Sequence, residues 1–202
     1  MKLIKGIKLK GDKVIIPDCS RDDLPEFFKE MGYKVGAEIG VYRGGFTESF
    51  CKAGLKMYGI DPYVTYPDFN HPEGQKRMDF LYGHAQRTLK SYDCILIRKM
   101  SMEAVNDFAD ESLDFVYIDG CHRFRYIAED LFEWTKKVRK GGIVSGHDYC
   151  DVSNAFWNSC HVSQVLRAYI RCFDIKSWYV LGELESRAGK KRDKYRSWMF
   201  IK

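Results

Sequence analysis

The sequence contains no apolar run of about 18 residues, so no segment of it is long enough to cross a bilayer as a helix. It also lacks the unbroken apolar core of a secretion signal, because MKLIKGIKLKGDKV interrupts its apolar residues repeatedly with lysine. None of the seven cysteines forms a C-x-x-C pair, which removes a zinc ribbon, and their odd number and scatter argue against a disulfide framework. Reduced thiols, a cytoplasmic setting and no membrane partner are the expectation. Neither sign of charge dominates: 33 basic against 28 acidic residues leave a net charge of +5. Much of that excess lies in the N-terminal lysines and in KKRDK, Lys190 to Lys194, which reads as solvated surface and does not predict a nucleic-acid partner.

What is present fits one globular domain. The chain has 202 residues, 45% hydrophobic and 30% charged, enough for a single large core and too little for two ordinary ones. Ile7 and Leu9 between lysines, then Gly11-Asp12 and Val14 to Ile16, read as a hairpin. Ser20 caps a helix over about 21–31, stopped by Gly32. Residues 1–34 are therefore expected to be a hairpin-and-helix appendage, and residues 35–202 the main domain. From Val35 onward, short apolar runs alternate with helical stripes: runs at 35–39, 57–60, 94–97, 113–118 and 143–145, with helices between and after them. Ser177 to Leu181 and Tyr195 to Ile201 follow one another without a helix and should pair antiparallel. The fold class is α/β: a Rossmann-like, doubly wound, seven-stranded and mostly parallel sheet with a C-terminal antiparallel hairpin.

Ligands of such sheets bind at the carboxyl ends of strands. There the first run ends in Glu38-Ile39-Gly40 and a loop containing Gly44, and the second ends at Asp61, placed to accept from a pair of ribose hydroxyls. The glycines allow close approach of backbone to a ligand. The spacing G-x-x-x-G-G is not the dinucleotide G-x-G-x-x-G, so a nicotinamide oxidoreductase loses its main support. Read as structural residues, Glu38 is a paired acid and Asp61 a turn-former before Pro62.

Four motifs, in order at the strand ends, resemble the class I S-adenosylmethionine-dependent methyltransferases: Glu38-x-Gly40-x-x-x-Gly44, Gly59-Ile60-Asp61-Pro62-Tyr63, Phe115-Val116-Tyr117-Ile118-Asp119-Gly120-x-His122 and Gly141-Gly142-x-x-x-Gly146-His147-Asp148-Tyr149. The likeness is greatest to the small branch that resembles the catechol-type and macrolide-sugar O-methyltransferases. It implies a cofactor site of Glu38, Gly40, Gly44, Asp61, Ser101 and Asp119. In it Glu38 would hold the loop and the methionine ammonium side, and Ser101 would lie near the adenine. It also implies methyl transfer to a hydroxyl of a small-molecule acceptor, sugar or phenol-like, with His147 and Asp119 as the catalytic pair.

Whether a divalent metal takes part is left open by the residues. Asp119, His147 and Asp148 are credible ligands, but His147 falls where the catechol-type enzymes place a carboxylate, which shifts preference from magnesium toward manganese or another transition metal. The alternatives for His147 are general base and structural hydrogen bonding; His122 opens a helix and reads equally well as a solvent-facing residue. Aromatic loops at 63–72 and 149–157 suggest an acceptor pocket walled by Tyr66, Phe69, Tyr149, Phe156 and Trp157. Two other functions stay in view, a nucleic-acid-modifying methyltransferase and a noncatalytic nucleoside-binding Rossmann-like protein. The first finds neither an RNA-binding module nor an Asn/Asp-Pro-Pro-aromatic tetrad in the chain.

Overall fold

The computed structural model of the chain describes residues 2–66, 73–150, 160–184 and 195–202. Its elements run α1 (Lys2–Gly6), β1 (Val14–Ile16), a 3-10 turn (Arg21–Asp23), α2 (Leu24–Glu30), β2 (Val35–Ile39), α3 (Gly45–Lys52), β3 (Lys56–Ile60) and α4 (Gly74–Leu89). They continue with β4 (Cys94–Ile97), α5 (Ser101–Ala104), a second 3-10 turn (Val105–Asp107), β5 (Leu113–Ile118), α6 (Phe124–Lys137), β6 (Val138–Tyr149), α7 (Val162–Cys172), β7 (Trp178–Leu181) and β8 (Arg196–Ile201).

The strands form one sheet in the order β1-β7-β8-β6-β5-β2-β3-β4. All neighbours are parallel except β8, which runs antiparallel to both β6 and β7. The sheet thus has eight strands where seven are expected, and the extra one is β1. The expected N-terminal hairpin does not form. Leu3, Ile4 and Ile7 have helical spacing and pack into one apolar cluster, while Leu9 is exposed, so the alternation of Ile7 and Leu9 is not the face that is buried. Tyr179 Oη fixes the segment by donating to the carbonyl of Ile7 at 2.7 Å. β1 then joins the sheet edge beside β7, so the N-terminal segment is built into the sheet and does not hang from it.

Helices cover both faces, as parallel strands buried on both sides require. On one side Phe27, Phe28 and Phe50 pack on Phe115, with Phe28 and Phe115 ring centroids 4.4 Å apart. On the other, Leu131, Trp134 and Leu166 from α6 and α7 pack on Val116, Val144 and Phe200. β2 lies between β3 and β5, so strand order reverses at β2 and a crevice opens between its carboxyl end and those of its neighbours.

Gly40 shows how tightly the chain turns there. Its φ is +94°, and a Cβ would stand 2.2 Å from the Asp119 carbonyl oxygen. Gly40→Ala is therefore expected to destabilise the protein by at least about 2 kcal/mol, from left-handed strain plus a backbone clash. A chemical-denaturation midpoint within error of wild type would contradict this.

Candidate functional site

A cavity of about 750 Å³ opens at the carboxyl ends of β2, β3 and β5, within the range of small-molecule and cofactor sites. Gly40 and Asp61 stand at one part of its wall, Ser101 and Asp130 at another, and Asp119 and His122 at a third. Met100, Met102 and Tyr126 supply apolar lining between these polar groups.

Asp61 is held by the backbone. Its Oδ2 accepts from the N–H groups of Val41 and Tyr42 at 3.1 and 3.0 Å, and its Oδ1 from Tyr63 at 2.9 Å. Burial pushes its carboxyl above the usual carboxylate range, against the pull of those three donors. Each oxygen can accept two bonds, so Oδ1 keeps a lone pair for a ligand hydroxyl. The turn expectation for Asp61 and the ligand expectation are thus compatible. Gly44, at φ +83°, is the residue before α3 and starts that helix from the left-handed region.

Glu38 is placed differently from its neighbours. It is fully buried, is absent from the cavity wall, and receives the hydroxyl of Thr47 on α3 in a short hydrogen bond. Burial raises its pKa well above the ordinary value, against the pull of the Thr47 hydrogen bond that ties the loop to α3. This matches the loop-holding part of what the resemblance implies and leaves the ligand side to other residues.

Ser101 is the first residue inside α5. The cap bond comes from Glu103, which accepts from the Met100 N–H at 3.2 Å. The Ser101 hydroxyl accepts from Trp134 Nε1 at 2.7 Å and donates to Asp130 Oδ1. Asp130 is a site residue that the sequence reading missed. It interrupts the buried stripe Ile127, Leu131, Trp134 on α6, and a charged residue on a core-facing stripe is the signal that would have found it.

Burial raises the Asp130 carboxyl to about 7. A raised acid is stabilising while protonated, so its contribution is complete below the ordinary range near 3.8 and is lost as pH rises through about 7. Asp130→Asn is therefore expected to stabilise the unliganded protein at pH 8 by an amount on the order of a few kcal/mol, and far less at pH 4. Equal melting-temperature shifts at the two pH values would contradict that.

The third group is a cluster of charge. Asp119 ends β5 and Asp148 lies near the end of β6. His122 Nε2 is 3.1 Å from Asp148 Oδ2 and 3.6 Å from Asp119 Oδ1. His147 Nδ1 is 3.2 Å from Asp148 Oδ2 and 3.8 Å from Asp119 Oδ1. Arg21, from the N-terminal segment, reaches Asp119 Oδ2 at 3.4 Å and lies over the Phe46 ring. Burial opposes charge on His122, but the two carboxylates outweigh it and raise its pKa. Burial likewise opposes the Asp148 charge, and His147 and His122 hold its pKa below the usual range. Asp148 has φ +56°, a left-handed conformation uncommon for a non-glycine residue and typical of strained functional positions.

Of the expected ligand trio, Asp119 and Asp148 meet in a mutually close set that includes His122, and His147 Nδ1 also stands 3.8 and 3.2 Å from an oxygen of each. His122 Nε2 is buried without an aligned hydrogen-bond partner, although both carboxylates lie within ion-pair distance. His147 touches the same carboxylates from behind and does not line the cavity. Of the expected pocket aromatics, Tyr66 is on the wall, whereas Tyr149 is fully buried against Trp178 and belongs to the core. Phe69, Phe156 and Trp157 lie outside the described residues.

Solved structures share this architecture at low identity. An O-methyltransferase from Bacillus cereus in complex with SAH aligns with a TM-score of 0.59 and 16% identity, over 90% of this chain and 80% of that one. The N-methyltransferase NodS from Bradyrhizobium japonicum WM9 aligns at 0.57 and 14%, over 90% and 93%. An rRNA methylase from Streptococcus thermophilus aligns at 0.58 and 12%, over 89% and 94%. Oxygen, nitrogen and RNA acceptors thus occur on one fold, so the fold does not choose among them. No curated protein matches the chain. The family model described as a methyltransferase domain matches residues 37–149, more than half of the chain, from within β2 to the end of β6. With the glycine loop, the acid after β3 and the Asp119 cluster at the matching strand ends, the chain belongs to the class I S-adenosylmethionine-dependent methyltransferases.

Proposed function

We propose that the protein transfers a methyl group from S-adenosylmethionine to a hydroxyl of a small molecule, in a reducing, cytoplasmic setting consistent with its seven free cysteines. The observation that carries this is the cavity itself, with Asp61 on one part of the wall and the Asp119–His122 pair on another. Asp61 accepts the ribose hydroxyls, Gly40 and Gly44 let the loop pass beneath the nucleoside, and Ser101 lies toward the adenine. Asp119 faces the methionine end and the acceptor.

Asp119, His122 and Asp148 fit a divalent metal: two carboxylates converge with an imidazole nitrogen that has no aligned partner. The imidazole favours manganese or another transition metal over magnesium. Bound there, such an ion would supply Lewis acidity to an acceptor hydroxyl. The chain's own residues do the rest. The cavity holds sulfonium and hydroxyl in line, the carbon–sulfur bond breaks as the carbon–oxygen bond forms, and the hydroxyl proton leaves into the cluster. His147, off the cavity wall and held through Nδ1 by Asp148, receives that proton by way of the Asp119 and Asp148 carboxylates.

The test is incubation with S-adenosylmethionine labelled with carbon-13 at the methyl, against phenols, sugars and RNA, with and without chelator. A new O-methyl resonance on a phenol or sugar is expected. An N-methyl resonance, or label appearing only in RNA, would overturn the hydroxyl assignment.

A further inference from the structure

Two of the side chains that converge in the charge cluster stand where regular backbone pairing lapses. His122 lies in the stretch from Asp119 to Arg123, which belongs to no helix or strand between β5 and α6. Asp148 lies where β6 shifts register against β8, between Gly146 and Tyr149, and holds its left-handed φ of +56°. Such conformations persist only where the surroundings over-determine them. One dipeptide ties both places down. The Cys160 thiol reaches the Asp148 carbonyl at 3.6 Å, and the His161 N–H donates to the His122 carbonyl at 2.8 Å. Residues 37–149, which carry the family likeness, end before this pair.

The His161 ring adds a second tie to the same turn. It occupies the N-cap position of α7 but makes no cap bond to that helix. Its Nδ1 instead meets the N–H of Phe124, the first residue of α6, at 2.9 Å. That N–H is one of the donors a helix start leaves unpaired, and it can only donate. Nδ1 is therefore the accepting nitrogen of the ring, and Nε2 the one that carries hydrogen. With one bond to His122 and one to Phe124, His161 clamps the turn on both sides of Arg123.

We propose that His161 is a positioning residue for the His122 imidazole: its two bonds to the turn keep His122 Nε2 against the Asp119 and Asp148 carboxylates, the arrangement that receives a divalent ion. The inference rests on Asp119, His122 and Asp148 being a metal site. His161 acts on that site through the backbone of its neighbours.

The experiment is titration of the full chain with manganese, read from the free-ion electron paramagnetic resonance signal, in wild type, His161→Ala and His161→Asn. Each protein is also titrated calorimetrically with S-adenosylhomocysteine. Asparagine offers a carbonyl oxygen close to the place of Nδ1 and is itself a favoured N-cap residue, so it keeps the acceptor without weakening α7. His161→Ala is expected to bind manganese about tenfold more weakly, the lower end of the effect of groups that orient metal ligands. His161→Asn is expected to return to within about threefold of wild type, with nucleoside affinity within about twofold in both variants. His161→Gln, whose amide is one carbon longer and out of register with Phe124, serves as the disrupting variant if His161→Ala does not fold. Wild-type manganese affinity in the disrupting variant, equal weakening in it and in His161→Asn, or a parallel loss of nucleoside binding would overturn the assignment while leaving the metal site intact. Failure of wild type to bind manganese would instead overturn the metal reading, and this inference with it.

Discussion

Replacing Asp61 with alanine is expected to weaken S-adenosylhomocysteine binding by about two orders of magnitude. Hydrogen bonds to a charged group contribute roughly 1.5–3 kcal/mol each, and every 1.4 kcal/mol is a factor of ten. The same carboxylate also receives the N–H groups of Val41, Tyr42 and Tyr63, so its removal loosens the loop that carries the glycines. A ligand lacking the 2′-hydroxyl separates the two effects. Wild type should lose affinity for the deoxy ligand, whereas Asp61→Ala should bind both ligands equally weakly, because the group that told them apart is gone. Full affinity in Asp61→Ala would remove the ribose assignment.

Asp119→Ala should leave binding of the nucleoside within about tenfold of wild type yet lower the rate of methyl transfer by about a thousandfold. Asp119 is the point where four side chains meet: His122, His147, Arg21 and the neighbouring Asp148. Removing it takes away one candidate metal ligand and leaves Arg21 and the two imidazoles without a shared counter-charge. Metal content, measured after dialysis against manganese or zinc, should fall together with the rate in both Asp119→Ala and Asp148→Ala. If neither metal content nor rate changes in these two variants, the cluster has no part in the chemistry.

The sheet was legible in the sequence wherever a short apolar run stands between helical stripes, both at the buried centre and at the partly exposed edge strand β4. Val35–Ile39, Cys94–Ile97 and Leu113–Ile118 have the bounds expected from their apolar runs, because nothing but a parallel strand accommodates such short runs between helical stripes. The N-terminus was misread for the opposite reason. Its apolar residues are few, and the choice between a two-residue and a 3.6-residue period turned on Leu9, which faces solvent. The motif residues Gly40, Gly44, Asp61, Ser101 and Asp119 stand at strand ends or helix starts, where position in the chain fixes position in space.

What sequence spacing does not fix is which of two nearby side chains turns inward. His122 and His147 both approach Asp119, yet of the two only His122 lines the cavity. Arg21 was illegible for another reason: it comes from a segment almost a hundred residues before its partner. The capped turn at Ser20 delivers it there, Ser20 donating its N–H to Asp23 at 2.8 Å. Asp130 shows a third case, a cavity-lining acid on the buried stripe of a helix, overlooked because its neighbours read as core.

The most direct test is a calorimetric titration of the wild-type protein with S-adenosylhomocysteine, with NAD as the comparison ligand, before and after treatment with chelator. Saturable binding of the homocysteine nucleoside and none of NAD is predicted, because the loop has G-x-x-x-G-G spacing and the proposed function has Asp61 accept a ribose with no pyrophosphate beside it. Absence of binding with and without chelator, or saturable binding of NAD alone, would contradict the account.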